Sequence, residues 1–347
     1  MEETLEPEVV PSRDCPECGQ PAMEGNHPTP LCADCRQKYV RYPIPVWIRI
    51  FGACIAALVL FSLFTFPKDL SVGINLEKGE RAEKAGKYLT AQRAMEKVVQ
   101  KVPGNIEAEG HLLIDAVYTQ DMETFKAQYA KLKDRNIEDK ELLSAIEEAM
   151  DKAGGYFVND SFTSFMTAHP GAPPSDIEWA SYFDKNPRDF YALATYASAL
   201  NDRKELDRED SVLRVLLSRD KESYIGLELI SSLLREEHKP DEALIYNDRL
   251  LRINQELPYG LASKARTLLM QKKDREALQL SEKACQLGGS DDIYSQSTLA
   301  LAYHFNQRPA DRDALIRKLN STIKDTSDRG GFQYVLDVIS NKEKFRD

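Results

Sequence analysis

PDEALIYNDRLLRINQELPYGLASKARTLLMQKKDREAL, residues 240–278, carries one short phrase twice. Asp241-Glu242-Ala243-Leu244 returns as Arg275-Glu276-Ala277-Leu278, a step of 34 residues. Upstream, apolar residues recur at the i, i+3, i+4, i+7 spacing of a helix face, as in Leu213, Leu216, Leu217 and in Leu227, Ile230, Leu233, Leu234. No strand-like alternation stands out after residue 71, and short polar breaks separate the helical stretches. A further Arg312-Asp313-Ala314-Leu315 follows after a step of 37, while Ala91 and Phe125 lie 34 apart and Val158 follows at 33.

A 34-residue helix–turn–helix period resembles the tetratricopeptide (TPR) family. Segment 72–105 fits its pattern, with Gly79, Gly86, Tyr88, Ala91 and Pro103 at positions 8, 15, 17, 20 and 32. The resemblance implies an all-α fold, a TPR-like α-solenoid of antiparallel helix pairs. Small residues at positions 8 and 20 let helices A and B approach where they cross. One repeat cannot bury its apolar face alone, so neighbours stack, and about seven units fit into 72–341. Two departures stand out. Val158 sits where alanine is usual, and 171–187 supplies one helix, near Asp176–Phe183. Ala172-Pro173-Pro174 marks a join between a first sub-array, 71–170, and a second, 171–347.

Arrays of this family bind peptides or proteins in a concave groove lined by helix A, and some grasp a terminal carboxylate with Lys and Asn. Here helix-A positions 2, 5 and 9 are Tyr259, Ala262 and Arg266 in 258–291, and Ile225, Glu228 and Ser232 in 224–257. Only Arg266 is basic, which disfavours a carboxylate clamp and leaves Tyr259 and Arg266 as candidates for partner contact. Phe190, Tyr191, Tyr196, Tyr224 and Tyr246 read either as groove lining or as packing between helices.

The N-terminal stretch CPECGQPAMEGNHPTPLCADC, residues 15–35, pairs Cys15 with Cys18 and Cys32 with Cys35 across thirteen residues. A CxxC turn aims two thiolates at one metal, and two such turns make a tetrahedral four-sulfur shell suited to zinc. Over 13–38 the segment resembles the zinc-ribbon or zinc-knuckle family, which implies one structural zinc ion. So short a segment cannot bury a core, and metal binding supplies its folding free energy. Two alternatives are redox chemistry of one pair, which usually needs a βαβ context, and His27 replacing a cysteine as ligand.

Between these parts, Ile50–Phe66 holds 17 residues without a charge, and Val46–Arg49 extends the stretch to 21. That length matches a hydrocarbon core of ~30 Å at ~1.5 Å per residue, so 41–70 is expected to hold a single transmembrane helix, bounded by Pro43, Pro45 and Pro67. Trp47 and Arg49 suit an interface. Ala53, Ala56 and Ala57 offer a face for helix pairing, hence a possible dimer. Flanking charges balance at three against three. Zinc thiolates favour a reducing compartment, so the expectation is a single-pass membrane protein with its N-terminal 1–40 segment cytoplasmic and its array extracytoplasmic.

The net charge of −10, with eight acidic against four basic residues in 1–45, argues against nucleic acid as partner. Four of the six cysteines sit in the two pairs, which excludes a secreted disulfide framework. There is no Gly-rich phosphate loop, HExxH or G-x-S-x-G, and the five histidines are scattered, so no enzyme is expected. The expected function is a membrane-anchored scaffold for protein–protein interaction with a structural zinc knuckle. The alternative is a transmembrane sensor whose array detects a partner and whose knuckle reports it.

Overall fold

The computed structural model describes residues 14–22, 29–40, 44–289, 291–323 and 326–346, with side chains throughout except at 40, 63–68 and 326–328. It divides into two compact units, Met1–Lys68 and Asp69–Asp347. In the first, an antiparallel bridge joins Asp14 to Pro21. The short helix α1 (Ala33–Val40) follows, and the long helix α2 (Val46–Lys84) begins.

The described residues of the second unit are helical apart from their turns. The end of α2 pairs with α3 (Tyr88–Lys101) and α4 (Ile106–Thr119) with α5 (Met122–Leu132), while α6 (Lys140–Tyr156) packs on α4. The short α7 (Asp160–Thr167) meets α8 (Asp176–Lys185) through Phe162 and Phe165 against Trp179 and Tyr182. Then come α9 (Phe190–Asp202) with α10 (Leu206–Arg219), α11 (Tyr224–Glu236) with α12 (Pro240–Ile253), α13 (Pro258–Met270) with α14 (Asp274–Gly288), and α15 (Ile293–Phe305) with α16 (Pro309–Thr322). A final α17 (Thr326–Ile339) packs on α15. The fold is an all-α, TPR-like solenoid. Helix starts follow local chemistry. Asn105, Asp121, Asp139, Asn159, Asp189, Ser223 and Asp292 cap with their side chains, while Pro240, Pro258 and Pro309 open their helices.

One turn recurs through the array. Gly86, Gln120, Lys204, His238, Lys272 and Gln307 each stand two residues before a helix B, in the left-handed region at φ 64, 60, 60, 55, 59 and 57°. The next amide then reaches back five residues. Lys87 N donates to Ala82 O (2.9 Å), Asp121 N to Ala116 O (2.8 Å) and Lys273 N to Leu268 O (2.9 Å). This is the Schellman ending of a helix, in which glycine is the least strained residue. Only the first of the six is glycine. Its surroundings give the reason: a Cβ at Gly86 would sit 2.9 Å from the Ile253 carbonyl oxygen. Position 20 of the repeat behaves as its packing role requires at Ala91, Ala243 and Ala277, all fully buried. Val158 does not share that role. It precedes α7 and is 45% exposed.

The array closes on itself. Ten of the fourteen residues of α4 are buried, mostly by α3, α5 and α6, and at Tyr118 the later helices reach it as well. One apolar cluster joins Leu113, Val117 and Tyr118 to Tyr224, Leu250 and Leu257. Polar bonds fix the register. Gln255 N donates to Gly86 O (2.8 Å), Asn254 Nδ2 to Tyr118 O (2.9 Å), and Thr90 N and Oγ1 to the Glu256 carboxylate (2.8 and 2.7 Å).

The expected transmembrane helix in 41–70 is corrected. Among the described residues, no helix is long and apolar enough to cross a membrane. From Asp69 onward α2 carries Glu77, Lys78, Glu80, Arg81, Glu83 and Lys84. The membrane partner and the single-pass placement, with a cytoplasmic N-terminus and an extracytoplasmic array, fall with the span. Several large apolar residues of this stretch, Trp47 at 67% and Leu58 at 65% among them, are exposed.

The turn and the closure make separable predictions. Gly86→Ala should lower stability by about 1–3 kcal/mol, since it adds left-handed strain and a clash with backbone. Lys272→Gly, at an exposed copy of the same turn, should raise it by about 1 kcal/mol. Urea unfolding of the full chain measures both, and equal tolerance of Gly86→Ala and Lys272→Ala would remove the closing contact as its cause.

Candidate metal centre and binding clefts

The first cysteine pair sits in a tight turn. Cys15 N donates to Gln20 O (2.7 Å) and Gly19 N to Cys15 O (2.9 Å), with Gly19 in the left-handed region at φ 73°. The second pair stands at the start of α1, where Cys35 N donates to Cys32 Sγ (3.4 Å). The four Sγ atoms of Cys15, Cys18, Cys32 and Cys35 lie within 4.8 Å of one another, so the four thiols could together hold a metal ion. Cys15, Cys32 and Cys35 are buried, and Leu31 is the one apolar side chain packed on them among the described residues. Cys18 and Cys32 approach to 3.4 Å, well beyond an S–S bond of ~2.05 Å, and all four are free thiols. Around zinc, sulfurs at ~2.3 Å in a tetrahedron stand ~3.8 Å apart, between the 3.4 Å approach and the 4.8 Å limit found here.

The thiols also constrain one another's ionisation. Backbone amides, that of Cys32 foremost, lower Cys15 to a pKa of about 6 against the opposing effect of burial. Hydrogen bonding with Cys18 and Cys32, then burial, pushes Cys35 up to about 12. Four such thiols ionise together only when a cation balances them. His27, the alternative ligand, lies outside the described residues.

Arg266 of α13 is turned inward. Its Nε donates to Thr298 Oγ1 (2.8 Å), its Nη2 to Ser297 Oγ (3.2 Å), and its guanidinium lies 4.3 Å from the Tyr294 ring centre. With Ser232, Arg235, Met270, Tyr334 and Phe345 it lines a cavity of about 470 Å³. Arg235 is held there by Ser263 Oγ (2.8 Å) and Ser231 Oγ (3.0 Å). Tyr259, by contrast, packs against the closing cluster with its hydroxyl buried. The other aromatics are packing: Tyr224 is fully buried, Phe190 lies under Gly155, Tyr191 meets Phe162, and Tyr196 meets Trp179.

Sequence reasoning missed a buried acid. Asp115 of α4 is 0% exposed, and no donor reaches either of its carboxylate oxygens. Burial, then the neighbouring carboxylates Glu83 and Glu96, raises its pKa well above the usual range. Glu83 also takes His111 Nδ1 at 2.8 and 2.9 Å. Burial disfavours the charged imidazole, yet Glu83, Glu80 and Glu107 outweigh it and raise the His111 pKa. Nothing in the local sequence marks Asp115, since a helical Asp is ordinarily exposed.

No family model matches the chain, and no curated protein matches it. Among solved structures, one described as "Functional Characterization of Pseudomonas Aeruginosa pilF" is 14% identical, over 77% of this chain and 99% of that one, with a TM-score of 0.35. Yeast Tom70 is 13% identical over 74% of this chain and 59% of its own, with a TM-score of 0.38. At these scores neither likeness bears on what the chain binds, and the solenoid rests on its own helix pairs.

The buried acid gives a pH prediction. A carboxyl whose folded pKa is raised favours the fold in acid, and that contribution is lost as pH rises from the ordinary carboxylate range through the folded value. Asp115→Asn should therefore stabilise the protein by about 1–3 kcal/mol at pH 7 and by much less at pH 4. Thermal melts at the two pH values decide it, and an equal shift at both would show that Asp115 does not carry the proton.

Proposed function

We propose that the chain is a protein-interaction scaffold, a TPR-like array that seats a partner segment, preceded by a knuckle in which Cys15, Cys18, Cys32 and Cys35 hold one structural zinc ion. The observation that carries the reading is the convergence of four thiols in a segment with almost no apolar core. Such a segment needs a cross-link to hold its shape, and zinc supplies one with tetrahedral sulfur geometry. The thiolates take no part in chemistry on this reading, because a closed four-sulfur shell leaves no open position.

For the array, the supporting feature is the cavity between α11, α13 and α17. Arg266 and Arg235 face it from the helix-A side, as the concave face of such a repeat would require. Arg266 is the residue assigned to partner contact.

Metal analysis of the purified full chain tests the first half. One zinc per chain is expected, with Cys15→Ser and Cys35→Ser each abolishing it, while the helical content of the array is unchanged. A chain without metal, or one that keeps zinc after Cys35→Ser, would sink the knuckle. In-cell photo-crosslinking from position 232 tests the second half. A discrete adduct lost in Arg266→Glu is expected, and an adduct pattern indifferent to that change would remove the cavity as the seat.

A further inference from the structure

A second cleft lies away from the Arg266 cavity, where the closure brings helix ends together. It has a volume of about 590 Å³, within the ~300–1,000 Å³ range of ligand pockets. Five cationic side chains line it: Lys84 at the end of α2, Lys152 of α6, Lys221 in the turn before α11, and Arg249 and Arg252 of α12. Two carboxylates line it with them, Glu83 and Glu222, and a third, Glu148, reaches Lys152 from outside the lining (3.2 Å), in a chain whose net charge is −10. The local sign is therefore opposite to that of the molecule.

Both lining carboxylates are already engaged. Glu83 holds His111. Glu222 pairs with Lys152 (3.2 Å), whose ammonium also donates to the Tyr118 hydroxyl (2.9 Å). Arg249 Nη2 is fixed on the Lys221 carbonyl (2.8 Å). No described residue pairs with the Lys84 or Lys221 ammonium or the Arg252 guanidinium, and all three are exposed. The rings of Tyr88 and Tyr118, stacked at 4.1 Å, line the same cleft.

We infer that this cleft binds an acidic peptide segment of a partner protein. The cations are spread over four chain elements, so they suit carboxylates spaced along an extended chain better than one compact phosphate. Like-sign groups converge here at an electrostatic cost, which a ligand of opposite charge removes. The site lies where the early and late helices meet across the closure. It stands apart from the scaffold cavity and from the thiol cluster.

The test is fluorescence anisotropy of a labelled ten-residue Glu/Asp peptide with the full chain, at low and at moderate salt. Saturable binding is expected, weakened by salt and at least tenfold by Lys221→Glu with Arg252→Glu. Lys126→Glu with Lys133→Glu, exposed and outside the cleft, makes the same net charge change and should weaken it less than threefold. Melting temperatures of both pairs identify any variant that fails to fold. In that event the conservative Lys221→Gln with Arg252→Gln replaces it, with a several-fold loss expected. Equal weakening by the two pairs, or no saturable binding at low salt, would overturn the site. Equally tight, cleft-dependent binding of a polyphosphate of matched charge would overturn the assignment to acidic peptide.

Discussion

The Tyr118 carbonyl accepts a hydrogen bond from a side chain 136 residues further along, that of Asn254. Asn254 is almost fully buried, and its other amide atom accepts from Glu256 N (3.0 Å). Glu256 in turn holds Thr90. This relay fixes where the later helix pairs land on the earlier ones. In an open solenoid each repeat touches only its neighbours, and stability is close to a sum of repeat and nearest-neighbour terms. Here α4 has a second set of neighbours. The burial of Tyr118 at its end, and that of Tyr224, Leu250 and Leu257, depends on distant repeats being in place at once.

That difference explains what could be read from the letters. The 34-residue step is a local property, set by helix length and turn length, so Ala243 and Ala277 announce it directly. The cysteine spacing is equally local, and the Sγ atoms converge as two CxxC turns should. Closure has no such signature. A contact between residues 86 and 255 depends on the summed curvature of every pair between them. The left-handed turn was legible at Gly86 and hidden at Gln120, Lys204, His238, Lys272 and Gln307, since backbone hydrogen bonding there overrides residue preference. The apolar run from Val46 satisfies a count of residues, yet among the described residues no helix is long and apolar enough to cross a membrane.

Burial also redistributes charge in ways the composition conceals. The total of −10 suggests a uniformly acidic surface. Instead, part of the acid lies inside, with Asp115 at 0% and Glu109 and Glu209 at 2% exposure. Burial, partly opposed by Asn201, holds Glu209 near a pKa of about 7. Burial disfavours the charged form of Asp115 and Glu209. A cleft rich in lysine and arginine can therefore stand in a chain of acidic composition.

Cleft and closure are therefore two aspects of one arrangement. The cations come from both sides of the contact, Lys84 and Lys152 from the early pairs, Lys221, Arg249 and Arg252 from the later ones. If the contact opened, these groups would separate, and their mutual repulsion would fall. The apolar cluster and the Asn254 relay thus hold together groups that would otherwise drift apart. A ligand that neutralises both sets has differential affinity for the closed form and stabilises it by mass action. By the same linkage, anything that loosens the relay weakens that ligand's binding without touching a single cation.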